Sequence, residues 1–442
     1  MLKRKFEEKL KIWLDSNKVL LVDGARQVGK TTLIEDFLVK NFKNYIYINL
    51  ALNSDAINAF INARTVKDFM LVVSAFSDKP LIDNETVVFI DEIQMAKEAD
   101  FFTLAKGLAI ETKFRFIFSG SLLGVAEFNI ALEPTGYMYE EKMYPLDFEE
   151  FLWANNVQKD VLDVVKNSFL ERKEVPDFIH QKLMSLFYKY LMVGGMPEAI
   201  DTYVKTNDLY KTHLVHKRIE SFYKKDVTRY AKASSRPYIL QAYDLIPSEL
   251  SSKSKRFILS KVDENYSILK CENDFLWLKD AGVAIPVYNA NEPKVPLLLS
   301  KNTRLLKLFL NDIGLLCYRL LDTGIQSKIL AKEKNINFGS IFENAVAQEL
   351  NSHGFTYNKL FYFSNKKQGE VDFMITYKGE VVPIEVKSGK DYKRHVALDN
   401  LLANKEYDIK EAYVFGDFNL SIDGRKIYFP IYMIGLLFES KF

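Results

Sequence analysis

Asp23-Gly24-Ala25-Arg26-Gln27-Val28-Gly29-Lys30-Thr31-Thr32 decides how the rest of the chain is read. Its spacing is Gly-x-x-x-x-Gly-Lys-Thr. Val19-Leu20-Leu21-Val22 precedes it as a short apolar run suited to a buried strand, and Leu33, Ile34, Phe37 and Leu38 follow at helical spacing. Strand, glycine loop and helix in that order make the spacing a phosphate-binding loop. Gly24 and Gly29 let backbone N–H groups curl around an anion. The helix that starts near Lys30 adds the positive end of its dipole. The expected cradle is Gly24, Ala25, Arg26, Gln27, Val28, Gly29, Lys30, Thr31 and Thr32. In it Lys30 reaches the β- and γ-phosphates and the Thr31 hydroxyl ligates Mg²⁺.

Downstream segments fit the same sheet. Tyr45-Ile46-Tyr47-Ile48-Asn49-Leu50 reads as a strand. Thr86-Val87-Val88-Phe89-Ile90 reads as a buried strand that ends in Asp91 and Glu92. Asp91 is expected to hold Mg²⁺ and Glu92 to act as general base on the attacking water. A further strand, Lys113 to Phe118, ends in Ser119-Gly120-Ser121. Ser119, with Ser121 as second choice, is expected to touch the terminal phosphate or the water. Strands alternating with helices imply an α/β fold with a parallel sheet and ligands at the strand carboxyl ends.

Composition sets wider bounds. The chain has 442 residues, which suggests about three domains at roughly 150 residues each. Hydrophobic content of 48% argues against long disorder. A net charge of +2 means that any nucleic-acid surface is a local patch. Cys271 and Cys317 are too far apart to suggest a zinc site or disulfide scaffold. The five histidines form no ligand motif, and surface or capping roles are expected of them. The basic start, Met1 to Phe6, lacks an apolar signal core, and no run reaches the roughly 18 apolar residues of a spanning helix. The expectation is a cytoplasmic protein with no membrane partner.

Lys3 to Asp15 reads as an amphipathic helix with Phe6, Leu10, Trp13 and Leu14 on one face. After Tyr144-Pro145-Leu146, Asp147 is placed to cap a helix with Glu150 as capping-box partner. Asp160 to Lys232 reads as mostly helical, interrupted at Gly194-Gly195-Met196-Pro197. From Lys205 to Lys261 there are thirteen Lys or Arg against five Asp or Glu. Ile246-Pro247-Ser248 opens a region patterned like a winged helix, with Lys253, Lys255, Arg256 and Lys261, a helix around Cys271–Ala281, and a hairpin-like run from Val283 to Tyr288. This basic face reads equally as a surface for DNA phosphates or as a solvated helical lid.

The last third carries a second constellation. Gly369 to Ile375 and Val381 to Lys387 read as strands of a hairpin, with Tyr377-Lys378-Gly379-Glu380 as its turn. Alternation puts Asp372, Glu385 and Lys387 on one face. This is the pattern of metal-dependent nucleases: Asp372 and Glu385 ligate Mg²⁺ and Lys387 helps to activate water. A helix opening near Gly339 could bring Glu343 to the same metal. The same residues serve equally a nuclease-like fold kept for binding.

Together these motifs resemble the bacterial and archaeal AAA-type ATPases that end in a domain of unknown function with a restriction-endonuclease-like core. The resemblance rests on Gly24-x₄-Gly29-Lys30-Thr31, Phe89 to Gln94, Ser119-Gly120-Ser121 and Tyr144-Pro145-Leu146 with Phe148 and Phe151. It continues through Gly194 to Glu198, Asp312 with Gly314-Leu315-Leu316, Gly339 with Phe342-Glu343-Asn344, Glu370 to Phe373, and Ile384 to Lys387. It implies an AAA-type P-loop ATPase domain over 1–155, a helical and winged-helix region over 156–330, and a restriction-endonuclease-like domain over 331–442. It also implies ATP binding and hydrolysis, with Mg²⁺, but no particular substrate; the leading expectation from the motifs together is an ATP-hydrolysing switch or motor acting on DNA. The rival expectation is a nucleotide-gated scaffold whose nuclease-like end binds a partner or nucleic acid without cutting. A homo-oligomer comes into view because such sequences usually carry a Gly-Arg pair before Tyr-Pro-Leu, an arginine suited to sensing phosphate across a subunit interface. Here Gly136 is followed by Tyr137. Arg115 and Arg229 are the open substitutes.

Overall fold

A computed structural model describes residues 1–121, 136–252, 255–258, 275–331, 338–356, 358–389 and 391–441. Five strands form the first sheet: β1 (Val19–Asp23), β2 (Asn44–Asn49), β3 (Thr86–Asp91), β4 (Arg115–Gly120) and β5 (Met138–Lys142). Their order is β2-β3-β4-β1-β5, with every pair parallel. Alternating side chains divide two cores. Val19, Leu21, Val88, Ile90, Phe116 and Phe118 face the helices Ser54–Asn62, Val66–Ala75 and Phe101–Glu111. Leu20, Val22, Val87, Phe89 and Ile117 face the other way, into a core that runs through the rest of the molecule. The expected amphipathic helix is Phe6–Leu14, with Phe6, Leu10 and Trp13 buried.

A helical middle follows, including Phe148–Ala154, Asp177–Val193, Pro197–Thr206, Leu209–Tyr230 and Arg236–Ser251. Asp147 and Glu150 form the expected capping box. Pro247 does not open a new unit; it is buried inside the Arg236–Ser251 helix.

The second sheet has eight strands: β6 (Ala284–Ala290), β7 (Lys301–Leu310), β8 (Leu360–Asn365), β9 (Gly369–Tyr377), β10 (Glu380–Lys387), β11 (Ala412–Gly416), β12 (Ser421–Asp423) and β13 (Lys426–Pro430). Their order is β12-β13-β11-β10-β9-β8-β6-β7. β9 and β10 are the expected hairpin, turned by Lys378 and Gly379 at φ 50° and 85°, the backbone a two-residue turn requires. β6 and β7, expected in a winged-helix region, pair with each other and, through β8, with the C-terminal sheet. The sheet therefore crosses the expected boundary at 330. Lys253, Lys261 and Cys271 of the expected winged helix lie outside the described residues.

One helix ties the parts together. Gly339–Ser352 is buried from Ser340 to Leu350, and its polar side chains serve three regions. Asn344 pairs with the backbone of Leu310 at 2.9 and 3.0 Å. Gln348 accepts from the Ile313 N–H at 2.7 Å and donates to the Tyr190 hydroxyl at 2.8 Å. Glu349 accepts from the Phe148 N–H at 2.8 Å.

The motifs at 144–146, 194–197 and 312–314 meet beside this helix. The Leu146 N–H donates to the Gly195 carbonyl at 2.7 Å, and the Gly195 N–H donates to Asp312 at 2.5 Å. A Cβ on Gly195 would lie 2.2 Å from the Leu146 carbonyl oxygen, closer than any side chain tolerates. Gly195→Ala is therefore expected to cost roughly 2 kcal/mol or more of stability. Gly389→Ala, where an added Cβ meets nothing within 4 Å, is expected to be silent. Comparison of their thermal unfolding midpoints with wild type checks this.

Candidate functional site

Register brings the first site together. Asn49 stands opposite Asp91, Ile90 opposite Phe118, and Ser119 opposite Val22, so the carboxyl ends of four strands form one row. The loop after β1 crosses this row. Gly29 takes a left-handed φ of 93° as the residue before the Lys30–Asn41 helix. The loop is clamped from outside: the Met143 N–H donates to the Asp23 carbonyl at 2.7 Å, and a Cβ on Gly24 would lie 2.3 Å from the Met143 oxygen. Buried Arg4 donates to the Val28 carbonyl at 2.9 Å and the Tyr144 carbonyl at 2.7 Å. Pro197 lies over Gly29, and Gly282, just before β6, lies against Ala25.

Asp91 is the centre of the row. Thr31 donates to its Oδ2 at 2.6 Å, and the Tyr47 hydroxyl reaches the same oxygen at 3.3 Å. The Ser119 hydroxyl donates to Oδ1. Glu92, at a left-handed φ of 59°, is held by Gln94 and, at 3.4 Å, by the Ser121 hydroxyl. Ser119 thus orients Asp91, while Ser121 orients Glu92. Lys30 is buried and donates to the loop's own Gly24 and Ala25 carbonyls at 2.8 and 3.0 Å. Burial pushes its pKa below the usual lysine value, against the pull of Glu92, Asp23 and Asp91. A cavity of about 830 Å³ opens beside these groups, lined in part by Gln27, Gly29, Lys30, Thr31, Thr32 and Glu92. The donor set fits a nucleotide with Mg²⁺: Thr31 and Asp91 are adjacent oxygen ligands, and the loop offers N–H groups at a helix N-terminus.

Several partners escaped sequence reading. Tyr47 and Asn49 alternate on one face of β2, and Asn49 donates to the Tyr47 hydroxyl at 2.9 Å; that period-two pattern was available as a signal. Asp226, on Leu209–Tyr230, binds Arg26 at 2.8 Å and had no local signal. Of the open arginines, Arg115 begins β4, at the end away from Ser119, and donates to the Ser16 carbonyl at 2.9 Å. Arg229 contacts Met95 at 3.6 Å, three residues beyond Glu92.

The second constellation is differently built. Asp372 and Glu385 lie on adjacent strands, and Glu343 comes from the Gly339–Ser352 helix, as expected. Lys387 pairs with Glu385 at 2.8 Å, and the Val386 N–H donates to Asp372 at 2.9 Å. A cation that the motif does not contain also enters. Lys307 on β7 is fully buried, with its ammonium 2.9 Å from Glu370, 3.8 Å from Glu343 and 3.9 Å from Asp372. Lys255 pairs with Glu343, and Arg256 with Glu370 at 3.1 Å. Burial and Asp372 push the Glu343 carboxyl up to about 7, against Lys307 and Lys255. Burial and Asp372 do the same for Glu385, against Lys387.

Among the described residues, the trio of ligand atoms lying within 4.8 Å of one another is that of Asp147, Glu349 and His353, and Glu343, Asp372 and Glu385 form no such trio. With an ammonium among them, the C-terminal carboxylates as arranged do not fit a divalent metal. The Asp147 group is satisfied within the protein, since Lys5 lies 2.8 Å and His353 3.2 Å from Asp147. His216 and His395 are buried rather than at the surface.

Residues 16–152 match the model of a family described as an AAA domain. Residues 184–327 and 338–434 match two further families, each described as a domain of unknown function (DUF8612 and DUF4143). An uncharacterized protein of Methanocaldococcus jannaschii is 25% identical over 83% of this chain and 74% of its own length. An uncharacterized protein of Haemophilus influenzae is 23% identical over 96% of this chain and 95% of its own length. Among solved structures, a Walker-type ATPase of Pyrococcus abyssi covers 73% of this chain and 96% of its own at 13% identity and a TM-score of 0.43. The Aeropyrum pernix ORC1 protein in complex with DNA covers 75% and 93% at 12% identity and a TM-score of 0.30. The N-terminal sheet, its loop and the family match together define an AAA-type P-loop domain. Among the described residues no helix is long and apolar enough to cross a membrane.

The seam between this domain and the C-terminal sheet titrates. Burial, and then Asp147, push the Glu349 carboxyl from 4.5 up to about 7, against His353 and Lys5. A carboxyl that holds its proton more tightly when folded contributes stability that is fully present below the unfolded pKa and lost as pH rises through the folded one. The thermal midpoint of Glu349→Gln, followed from pH 4.5 to 8, is therefore expected to fall less steeply than that of wild type.

Proposed function

We propose that the chain is an ATP-binding and ATP-hydrolysing switch or motor of the AAA type that acts on DNA and carries a nuclease-like C-terminal domain. The observation that carries the ATPase reading is the row in which Thr31 and Ser119 fix the two oxygens of Asp91 while Gln94 and Ser121 fix Glu92. Lys30 leaves the Gly24 and Ala25 carbonyls for the phosphates. Thr31 and Asp91 would hold Mg²⁺, which would offset phosphate charge. Glu92 takes a proton from water at its carboxylate. Lys30→Ala is expected to abolish ATP binding and turnover, and Glu92→Gln to keep binding and lose turnover by about 100-fold. Wild-type turnover in Lys30→Ala would sink the proposal.

Nucleotide state has a short route to the C-terminal sheet: loop, Met143, Leu146, Phe148, then Glu349. The DNA half is supported by exposed Lys217 and Lys225 on Leu209–Tyr230, although Arg218 pairs with Glu198 and Lys224 with Asp244. Duplex binding is expected to weaken with salt, with a log–log slope lowered by about two in Lys217→Gln/Lys225→Gln. An unchanged slope would remove this surface from the proposal. A second reading, in which the C-terminal domain binds a partner or nucleic acid without cutting, is favoured by the cations that pair with each carboxylate of the nuclease-like face.

A further inference from the structure

We propose that Lys307 is a built-in counter-cation that takes the place of a divalent metal on the nuclease-like face, so that this face is assembled and kept metal-free by the chain itself. The inference deepens the non-cleaving reading and rests on it. Lys307 lies outside the Asp…Glu-x-Lys pattern, on β7, which joins the sheet at its far edge. Its neighbours on the strand, Leu306, Leu308, Phe309 and Leu310, are buried hydrophobics. An ammonium in such a run is tolerated only with counter-charges at hand. They arrive from two other elements: Glu370 and Asp372 from β9, and Glu343 from the Gly339–Ser352 helix.

The ammonium is walled in. Its side chain is 0% exposed, and the Tyr362 ring lies 5.1 Å from the nitrogen. Lys307 stands opposite Val287 of β6, another fully buried residue. Four carboxyl groups, Glu343, Glu370, Asp372 and Glu385, are matched by four basic side chains, Lys255, Arg256, Lys307 and Lys387. A divalent ion placed among these carboxylates would meet a fixed like charge a few ångströms away in a site that screens poorly.

The test is Mn²⁺ binding to the nucleotide-free full chain, followed by electron paramagnetic resonance. Sites on this face are counted as those lost in Asp372→Asn, which excludes Mn²⁺ held at Thr31 and Asp91. Wild type is expected to show no Asp372-dependent Mn²⁺. Lys307→Met, of similar length and no charge, is expected to gain it and to lose it again when Asp372→Asn is added. Lys307→Gln is the second variant. For either, a Mn²⁺-dependent rise in thermal midpoint larger than that of wild type reads the same gain even where the fold is weakened. Asp372-dependent Mn²⁺ in wild type would overturn the proposal, as would the same midpoint response in both variants as in wild type. Cleavage of duplex or single-stranded DNA is assayed in parallel. In wild type, metal bound without cleavage removes the role given to Lys307 alone, whereas Asp372-dependent cleavage removes the non-cleaving reading as well.

Discussion

The close approach of Gly195 to Leu146 is the contact on which the arrangement of the chain depends. Two backbone segments meet where no side chain fits, and Asp312 joins them by accepting the Gly195 N–H. Gly194 takes a φ of 71° beside the same carboxylate, which leaves that place to glycine. The carboxylate is buried and also accepts the Leu315 N–H at 3.0 Å, so it caps the Ile313–Leu320 helix while it holds the glycine turn. Three stretches far apart in sequence are thereby fixed to one another. Because Met143 crowds Gly24 and Pro197 covers Gly29, the junction also presses on the phosphate loop. Packed interiors pass strain on rather than absorb it. A loop that re-forms around phosphate must therefore be accommodated by the segment leading to Leu146 and Phe148, and through Phe148 by Glu349.

The two clusters of carboxylates show opposite solutions to one problem. In the first, the hydroxyls of Thr31, Ser119 and Tyr47 surround Asp91, and none of these hydrogen-bond partners is a cation. Such a group gains from a cation supplied from outside. In the second, each carboxylate faces a lysine or arginine of the chain. Hydrogen bonds orient the charge in one case; ion pairs consume it in the other. Residue type alone therefore does not distinguish a carboxylate held by hydroxyls from one held by ammonium and guanidinium groups.

This difference follows what was legible in the sequence. The phosphate loop, the Asp91-Glu92 pair, the Asp147–Glu150 capping box and the β9–β10 hairpin are local patterns, and each formed as its periodicity or spacing required. Non-local pairing was not legible. Nothing in Ala284–Ala290 says that it will join β8 in the C-terminal sheet rather than close a wing, because a hydrophobic strand carries no address. Pro247 looked like a boundary, yet a helix passes through it. Lys307 went unread: it sits in the buried run Leu306–Leu310, and its meaning depends on Glu370, Asp372 and Glu343, which the fold alone brings to it. Asp226 lies two hundred residues from Arg26 and is equally silent.

Asp226 belongs to a second connection. The Tyr223 hydroxyl, one turn before Asp226 on Leu209–Tyr230, donates to the Arg26 carbonyl at 3.3 Å and receives the Asn311 side-chain N–H at 3.4 Å. Asn311 immediately precedes Asp312. The path from loop to Tyr223, to Asn311 and Asp312, to Gly195, to Leu146 and Met143, and back to Gly24 is therefore closed. A closed ring of contacts cannot shift at one member alone. Phosphate at the loop would act on both arms at once, by drawing Lys30 off the Gly24 and Ala25 carbonyls and by competing with Asp226 for Arg26. Both arms meet the Gly339–Ser352 helix, one at Gln348 through the Ile313 N–H and the other at Glu349 through the Phe148 N–H, side by side on one turn. Glu343 lies six residues away on the same rigid rod, about 9 Å along its axis. The geometry that joins the phosphate loop to the carboxyl cluster of the C-terminal sheet is thus one helix held at two adjacent residues.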